Sequence, residues 1–320
     1  MTFWLWILAA VLVFAVFGGL GAMLAVTVPI AKRVYFQQLV RTSPDKWGHE
    51  CSAPDNGEQL QMWTDGLAWG EENKAFAKPV SVKNGELSLY GEYYDFGSNK
   101  CVIIVPGRCE CLKYSYYFAQ SYKDAGMNVL VIDSRCHGMS DGTYSTIGDR
   151  ESGDLIKWMS YMESEFAVKS FWLHGICIGS SAALLAAASA DCTKNLGGIV
   201  LEGCFVNFRE SFKEHMVADK RPLFPVLDLV MLFIRIYAKT NIHRTAPIKT
   251  VKRINCPILF LFGKQDIYSV PAKSKKLFGA CASQNKKLVW FDKGSHSHLR
   301  INNTEKYDNA IMEFVSAYED

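Results

Sequence analysis

From residue 80 onward the sequence alternates short apolar runs with longer amphipathic segments. An Asn84-Gly85 pair separates VSV from ELSLYGEYYDF, a pattern typical of an antiparallel β-hairpin. Six further runs follow, most of them separated by helix-length stretches: CVIIVPG, NVLVID, SFWLHG, GGIVLEG, PILFLFG and KLVWFD. Continuous apolar strands that alternate with helices favour a parallel sheet covered on both faces. The sequence therefore predicts an α/β fold with a mostly parallel, eight-stranded sheet flanked by helices.

An uncharged apolar run, FWLWILAAVLVFAVFGGLGAMLAVTV, occupies residues 3 to 28. As a helix it would reach about 39 Å at 1.5 Å per residue, more than the roughly 30 Å of bilayer hydrocarbon. A cleaved signal peptide is the alternative, but no Lys or Arg precedes the run, the run is too long, and no good A-x-A cleavage site follows it. We therefore predict a single-pass transmembrane anchor at residues 1 to 31.

Charge and cysteine content indicate the compartment and the partners. Because the cationic residues follow the span, the positive-inside rule predicts a cytoplasmic C-terminal domain. The ten cysteines show no regular disulfide framework, which favours a reducing compartment. A net charge of +3 without a basic run interleaved with aromatics argues against a nucleic-acid partner. The cations that follow the span are Lys32, Arg33, Arg41 and Lys46.

Residues 32 to 78 are predicted to form a juxtamembrane connector that leads to a globular domain at residues 79 to 320. Within EQLQMWTDGLAWGEENKAF, apolar residues at about helical spacing predict a short amphipathic helix. Such a helix can pack on the domain or on lipid, and packing on the domain is the favoured alternative. The apolar residues of this helix are Leu60, Trp63, Leu67 and Trp69.

Four segments of the chain stand in the order and at the spacing of one known family: VIIVPGR, VLVIDSRCHGMSDG, LHGICIGSS, and LFGKQDIYSVP followed by DKGSHSHL. On these segments, residues 80 to 318 resemble the α/β-hydrolase fold family. They resemble more closely its membrane-anchored bacterial members of the serine aminopeptidase-like or esterase-like branch. The resemblance implies a nucleophile elbow and a catalytic triad in the chain order nucleophile, acid, histidine, with no cofactor.

The elbow of that family is a G-x-S-x-G turn, and this chain has GICIG in its place, with Cys177 at the serine position. Glycines on both sides leave room for a strained strand-to-helix bend. A thiol needs less activation than a hydroxyl, and the N-terminus of the following helix favours its thiolate. Dienelactone hydrolases have a similar G-x-C-x-G turn, so we interpret Cys177 as the nucleophile. The alternative is a degenerate elbow in which Cys177 only packs.

The resemblance also places the acid and the base. Asp266 follows LFG, where the family has the carboxylate that orients the histidine. Asp133 competes for this role, but it precedes the nucleophile in the chain. Gly294 leaves the last strand, and the family places the catalytic histidine two or three residues later, which selects His296 as the base. We expect His298 to line the site or its rim.

Backbone N–H groups of Arg108 and Ile178 are expected to form the oxyanion hole. The Arg108 side chain either binds an acidic substrate or lies at the surface. Cys109 is a further candidate for lining the site. A metal site is disfavoured, because C-x-C plus C-H is not a good zinc spacing. The residues considered for that metal site are Cys109, Cys111, Cys136 and His137.

A long segment, about residues 204 to 250, separates two predicted strands and is typical of a small helical lid, with an apolar helix around residues 227 to 237. That helix either forms an apolar acyl pocket or faces the core. The favoured function is a membrane-anchored hydrolase that cleaves an ester or thioester, less favourably an amide, of a small acyl substrate. The alternative is an inactive α/β-hydrolase scaffold that binds a lipid or protein partner. The sequence does not indicate an oligomeric state.

Overall fold

An eight-stranded sheet runs through the computed structural model, which describes residues 2–318. The spatial order is β1-β2-β4-β3-β5-β6-β7-β8, and only β2 runs antiparallel to its neighbours. This confirms the predicted α/β class, the eight strands and the opening hairpin. The strands are β1 Ala77–Asn84, β2 Leu87–Tyr94, β3 Lys100–Val105, β4 Asn128–Ile132, β5 Ser170–Ile176, β6 Leu196–Glu202, β7 Ile258–Gly263 and β8 Lys286–Phe291.

Helices cover both faces of this sheet. The α-helices are α1 Thr2–Leu39, α2 Gly57–Glu72, α3 Leu112–Ser115, α4 Gln120–Asp124, α5 Asp149–Phe166, α6 Ile178–Ala187, α7 Phe208–Ala218, α8 Val226–Phe233, α9 Pro247–Thr250, α10 Pro271–Ala280, α11 Leu299–Asn302 and α12 Thr304–Ser316. Short 3₁₀ turns occupy Lys74–Phe76, Tyr116–Phe118 and Val251–Arg253, and α8 continues as a π-helical turn, Ile234–Ala238. Helices α7 to α9 form the insertion expected at about residues 204 to 250.

The central strands are apolar on both faces because both faces are covered. Ile103 and Ile104, adjacent in β3, are fully buried in two different apolar clusters on opposite sides of the sheet. Leu130 and Val131 of β4 divide in the same way. Successive side chains of a strand point to opposite faces, so a sheet sandwiched between helices needs continuous apolar runs.

Helix α1 is long and apolar enough to cross a membrane. Its residues 3–22 are exposed, partial burial begins at Met23, and Tyr35 is fully buried. The Tyr35 ring stacks on Tyr237 at a centroid distance of 5.6 Å and lies 6.1 Å from Phe233. The first residues of the predicted connector therefore belong to the same helix as the predicted anchor, which extends to Leu39 and packs its last turns against α8 and the π-helical turn.

Helix α2 forms in the predicted connector and packs on the domain, but its predicted apolar face is partly wrong. Leu60 and Leu67 are 43% and 37% exposed. A Cβ on Gly66 would lie 3.1 Å from the backbone nitrogen of Tyr117, so this glycine lets the helix approach closely. The buried face of α2 is therefore the one that contains Gly66. The buried residues of this face are Gln59, Met62, Gly66 and Trp69.

A buried ion pair ties the loop after β4 to α5. The Arg135 guanidinium donates two hydrogen bonds to Asp154, at 2.7 and 2.6 Å, and both side chains are buried. Asn84, at the end of β1, donates to the same carboxylate at 2.7 Å. Each buried charge of such a pair needs the other, because a buried charge that loses its partner still carries its full desolvation penalty.

We predict that Asp154→Asn lowers the free energy of unfolding by about 3 to 5 kcal/mol, because it leaves the Arg135 charge buried and unpaired. Denaturant unfolding of the full chain in detergent, followed by tryptophan fluorescence, measures the change. Glu313→Gln is the matched control, since it breaks an ion pair with Lys287 in which the side chains are 68% and 43% exposed. That control should cost no more than about 1 kcal/mol. Equal losses in the two variants would contradict the prediction.

Candidate active site

Three of the predicted site residues meet at one edge of the sheet. Cys177 follows β5, Asp266 follows β7 and His296 follows β8. The carboxyl ends of parallel strands lie at the same edge, where α/β proteins form their sites. The topology therefore gathers residues that are separated by up to 119 positions in the chain.

Cys177 occupies a sharp turn between β5 and α6. Its backbone has φ 53° and ψ −110°, a conformation that L-residues adopt only under local strain. A Cβ on Gly175 would lie 2.4 Å from the Gly179 carbonyl oxygen, and a Cβ on Gly179 would lie 2.2 Å from the Val105 carbonyl oxygen. Any larger residue at either position would force the backbone apart, so the two glycines are what allow this turn.

Asp266 and His296, whose side chains are 2% and 10% exposed, form a pair beside this turn. The imidazole Nδ1 lies 2.7 Å from Asp266 Oδ2, while Asp266 Oδ1 accepts backbone N–H bonds from Tyr268 and Ser269, both at 2.8 Å. Burial raises the pKa of Asp266, but the charge of His296 and these hydrogen bonds outweigh burial and hold that pKa below its ordinary value.

The surroundings of His296 stabilise the protonated form of its imidazole. Burial by itself lowers its pKa, but the negative charges of Asp266 and of a Cys177 thiolate hold that pKa well above the ordinary value. Hydrogen bonding to the Cys177 side chain also raises this pKa, and within residues 2–318 the buried Nε2 atom of His296 has no other hydrogen-bond partner. This nitrogen is therefore free to exchange a proton with a group at the site.

The two residues whose N–H groups were assigned to an oxyanion hole lie near each other, in a cavity whose lining does not include Cys177 or His296. Arg108 and Ile178 line one small cavity together with Gly179. Across the part of the chain that the structure describes, neither amide N–H donates a hydrogen bond to another protein group. Both donors are therefore available to a ligand oxygen. The Arg108 guanidinium donates a hydrogen bond to Gln38, which connects its side chain to α1.

Glu110 belongs to the site, although the sequence analysis did not identify it. Its carboxylate accepts from the Gly107 N–H at 2.9 Å and from Gln59 Nε2 at 3.4 Å. A Cβ on Gly107 would lie 2.7 Å from Glu110 Oε2 and 3.5 Å from Cys177 Cβ, so the carboxyl group lies close to the elbow. Burial raises the pKa of Glu110 to about 7. Its position two residues after the expected oxyanion turn was the only signal in the sequence.

His298 links the last loop to α2. Its Nε2 lies 2.7 Å from Gln59 Oε1, and its Nδ1 lies 3.0 Å from Glu58 Oε2. Burial lowers the pKa of His298, and the nearby Glu58 only partly opposes that effect. The predicted connector therefore contributes Gln59 to the wall of the site, which the sequence analysis missed.

Helix α7 covers the site. His215 stacks on Tyr268, with the ring centroids 3.6 Å apart, and its ring is edge-on to His296 at 6.5 Å. Burial lowers the pKa of His215 to about 2. Cys177 is only 8% exposed under this cover. In helix α8, residues such as Leu227 are buried, so of the two alternatives for this apolar helix the structure shows the core-facing one.

Cys109 lies at the rim, half-buried with φ 68°, and its N–H donates to His137 Nε2 at 3.3 Å. A different trio brings ligand-type atoms within 4.8 Å of one another: His49, Cys111 and Asp133. Both oxygens of Asp133 already accept backbone N–H bonds, and His49 Nε2 lies 2.8 Å from one of them. Hydrogen bonding therefore accounts for this trio. It also occupies Asp133, the carboxylate that competed with Asp266.

No family model matches the chain. Several curated proteins are similar to part of it. Uncharacterized protein YqkD of Bacillus subtilis is 28% identical over 211 residues, which cover 65% of this chain and 67% of that protein. Uncharacterized membrane protein YNL320W of Saccharomyces cerevisiae is 26% identical over 196 residues. That match covers 61% of this chain and 62% of the yeast protein, less than two thirds of its length.

Solved structures show the same architecture. The esterase Pf2001 of Pyrococcus furiosus superposes with a TM-score of 0.66 at 19% identity, over 78% of this chain and 94% of the esterase. An alpha-beta hydrolase of Vibrio vulnificus superposes with a TM-score of 0.61 at 18% identity, over 84% of this chain and 91% of that protein. At such identities these likenesses establish the fold.

We predict that Asp266→Asn lowers the pKa of His296, because it removes the carboxylate charge that stabilises the imidazolium. NMR titration of histidine-labelled protein in detergent, with the His296 signal assigned from a His296→Gln variant, measures this pKa. Glu58→Gln is the matched control, since it removes the carboxylate beside His298 and should lower the pKa of His298 alone. An unchanged His296 titration in Asp266→Asn would contradict the geometry described above.

Proposed function

We propose that this chain, which has the α/β-hydrolase fold, is a membrane-anchored hydrolase that cleaves an acyl ester or thioester with Cys177 as nucleophile. The observation that carries the proposal is the Asp266–His296 pair, at 2.7 Å, which shares the carboxyl edge of the sheet with a cysteine on a strained elbow. Strained backbone at the end of a strand is typical of a functional site.

In the proposed reaction, His296 Nε2 takes the thiol proton of Cys177 and the sulfur attacks the acyl carbonyl carbon. The N–H groups of Arg108 and Ile178 receive the resulting oxyanion. When the tetrahedral intermediate collapses, the leaving oxygen or sulfur takes the proton from His296, and the acyl group stays on Cys177. Water then gives a proton to His296 and attacks the thioester, and the returning proton restores the thiol. Asp266 orients the imidazole and stabilises its charged form.

The similar solved structures support hydrolysis as the activity, since one is an esterase and another an alpha-beta hydrolase. The yeast relative is a membrane protein by name, which supports membrane attachment through α1. We infer an anchor at residues 1 to 31, a connector to residue 78 and a catalytic domain from residue 79. The cations after the span favour a cytoplasmic domain. The bacterial serine aminopeptidase-like or esterase-like branch stays our preferred placement, with esters or thioesters preferred to amides.

A second candidate function is an inactive scaffold that binds a lipid or protein partner. The observation in its favour is the cover over the elbow, because Cys177 is 8% exposed and His215 lies against Tyr268 above the pair. Little of Cys177 is therefore open to a substrate in this arrangement. The hydrolase requires a Cys177 thiol that reacts with acyl substrates, whereas the scaffold does not. This reactivity therefore separates the two candidates.

We predict that Cys177→Ala abolishes hydrolysis of p-nitrophenyl acyl esters by the full chain in detergent, because the acyl acceptor is lost. Mass spectrometry of quenched wild-type protein should find an acyl group on the peptide that contains Cys177, and stoichiometric iodoacetamide should block turnover. Cys192→Ala is the matched control and should retain activity. Hydrolysis that survives in Cys177→Ala would exclude this mechanism, whereas no hydrolysis by the wild type over a panel of acyl lengths would favour the scaffold.

We predict that His296→Ala lowers kcat by about 10² to 10⁴-fold, because it removes the proton acceptor. His298→Ala should change kcat less, since His298 is bonded to Gln59 and Glu58. Steady-state kinetics on one ester measure both effects. If His298→Ala had the larger effect on kcat, the assignment of the base would be wrong by two residues.

A further inference from the structure

Large apolar side chains are exposed on the lid, residues 204 to 250. Phe224, Leu232 and Ile236 are 76%, 46% and 54% exposed. Leu232 and Ile236 are four residues apart, so they share one side of the helix formed by α8 and its π-helical turn. The opposite side of this helix, which includes Val230 and Ile234, is buried in the core. We call Phe224, Leu232 and Ile236 the apolar lid residues.

The lid also carries cations that no acid neutralises. Its sequence has eight Lys and Arg residues against four Asp and Glu residues. All four acids are ion-paired: Asp219 with Arg221, Asp228 with Arg209, and both Glu210 and Glu214 with Lys273. Arg235 and Lys239 lie beside the apolar lid residues and are exposed. Within residues 2–318, the lid cations without an acidic partner are Lys213, Lys220, Arg235, Lys239, Arg244 and Lys249.

The lid packs on the helix that would cross the membrane. The exposed residues 3–22 of α1 number twenty and would extend about 30 Å, which matches the hydrocarbon thickness of a bilayer. Partial burial begins at Met23, directly after this length, and continues to the stacked rings of Tyr35 and Tyr237. The protein surface that covers α1 therefore begins where the bilayer would end.

We propose that the lid lies on the surface of the same bilayer that holds α1, with the apolar lid residues among the lipid headgroups and Arg235 and Lys239 on the phosphates of anionic lipids. An exposed apolar surface with adjacent unpaired cations has the chemistry of an interfacial helix. Its attachment to α1 brings it to the membrane without a separate binding step. This inference rests on the proposed membrane anchoring through α1.

Site-specific photo-crosslinking of the full chain tests the proposal. p-Benzoylphenylalanine replaces Phe224, Leu232 or Ile236 singly, and each protein is placed in phosphatidylcholine nanodiscs with about 30% phosphatidylglycerol. Position 14, in the exposed part of α1, is the positive control. The matched negative controls are positions 60 and 67, since Leu60 and Leu67 are 43% and 37% exposed on α2. After irradiation, mass spectrometry quantifies phospholipid adducts.

We expect phospholipid adducts at position 14 and at the lid positions, with yields at the lid positions at least about fivefold above those at positions 60 and 67. Adducts at position 14 without adducts at the lid would overturn the lid proposal and leave the anchoring intact. No adduct at position 14 would instead overturn the anchoring. Adducts of the lid positions to a second protein copy, or equal lipid yields at positions 60 and 67, would also overturn the lid proposal.

Charge reversal tests the role of the cations. Arg235→Glu with Lys239→Glu should lower the adduct yield at position 236 by about threefold or more in the anionic nanodiscs. Lys83→Glu with Lys157→Glu makes the same charge change on exposed residues of β1 and α5, and should leave that yield unchanged. Equal yields in the two double variants would contradict a contact between the lid cations and anionic lipid.

Discussion

The close approach of α6 to the end of β3 is the contact on which the candidate site depends. A side chain on Gly179 would collide with the Val105 carbonyl oxygen, so only glycine allows these backbones to meet. The contact fixes the start of α6, and the chain reaches that start only by passing through the positive-φ conformation of Cys177. The Cys177 N–H donates to the Glu202 carbonyl oxygen at 2.9 Å, which joins β6 to the same turn. Backbone contacts therefore determine both the position of Cys177 and its strained conformation.

The segments before the sheet complete the site. Gln38 of α1 accepts from the Arg108 guanidinium, and Gln59 of α2 contacts both Glu110 and His298. Buried polar groups such as these need partners, because each one left unsatisfied costs about 1 to 3 kcal/mol. The N-terminal region therefore contributes to the site, because the side-chain amides of Gln38 and Gln59 bond to polar groups that surround the elbow. The placement of α1 and α2 is therefore coupled to the residues around the elbow.

Local patterns predicted the sheet and the neighbourhood of the site well. Apolar runs identify strands because both sheet faces are covered, and GICIG identifies the turn because its glycines relieve backbone collisions. Contacts between distant segments were not predictable in this way. Leu60 and Leu67 fit an apolar stripe, but the side of α2 that is buried depends on the close approach of Gly66 to Tyr117. Glu110 likewise has a distant partner in Gln59, which lies 51 residues earlier in the chain, in addition to the local N–H of Gly107.

Helix α1 continues without a break from its exposed segment to Tyr35 in the core. Any change in its length therefore alters both the distance and the rotation of the exposed segment relative to the sheet. Each residue added to a helix turns the following side chains by about 100°. One residue inserted near Met23 would therefore rotate the bilayer segment relative to the buried side of Tyr35, although it would lengthen the helix by only about 1.5 Å. Seven residues would restore the facing to within about 20° and raise the domain by about 10 Å. Where the exposed segment has a partner in the membrane, its spacing from the domain is therefore expected to vary in steps of about two helical turns.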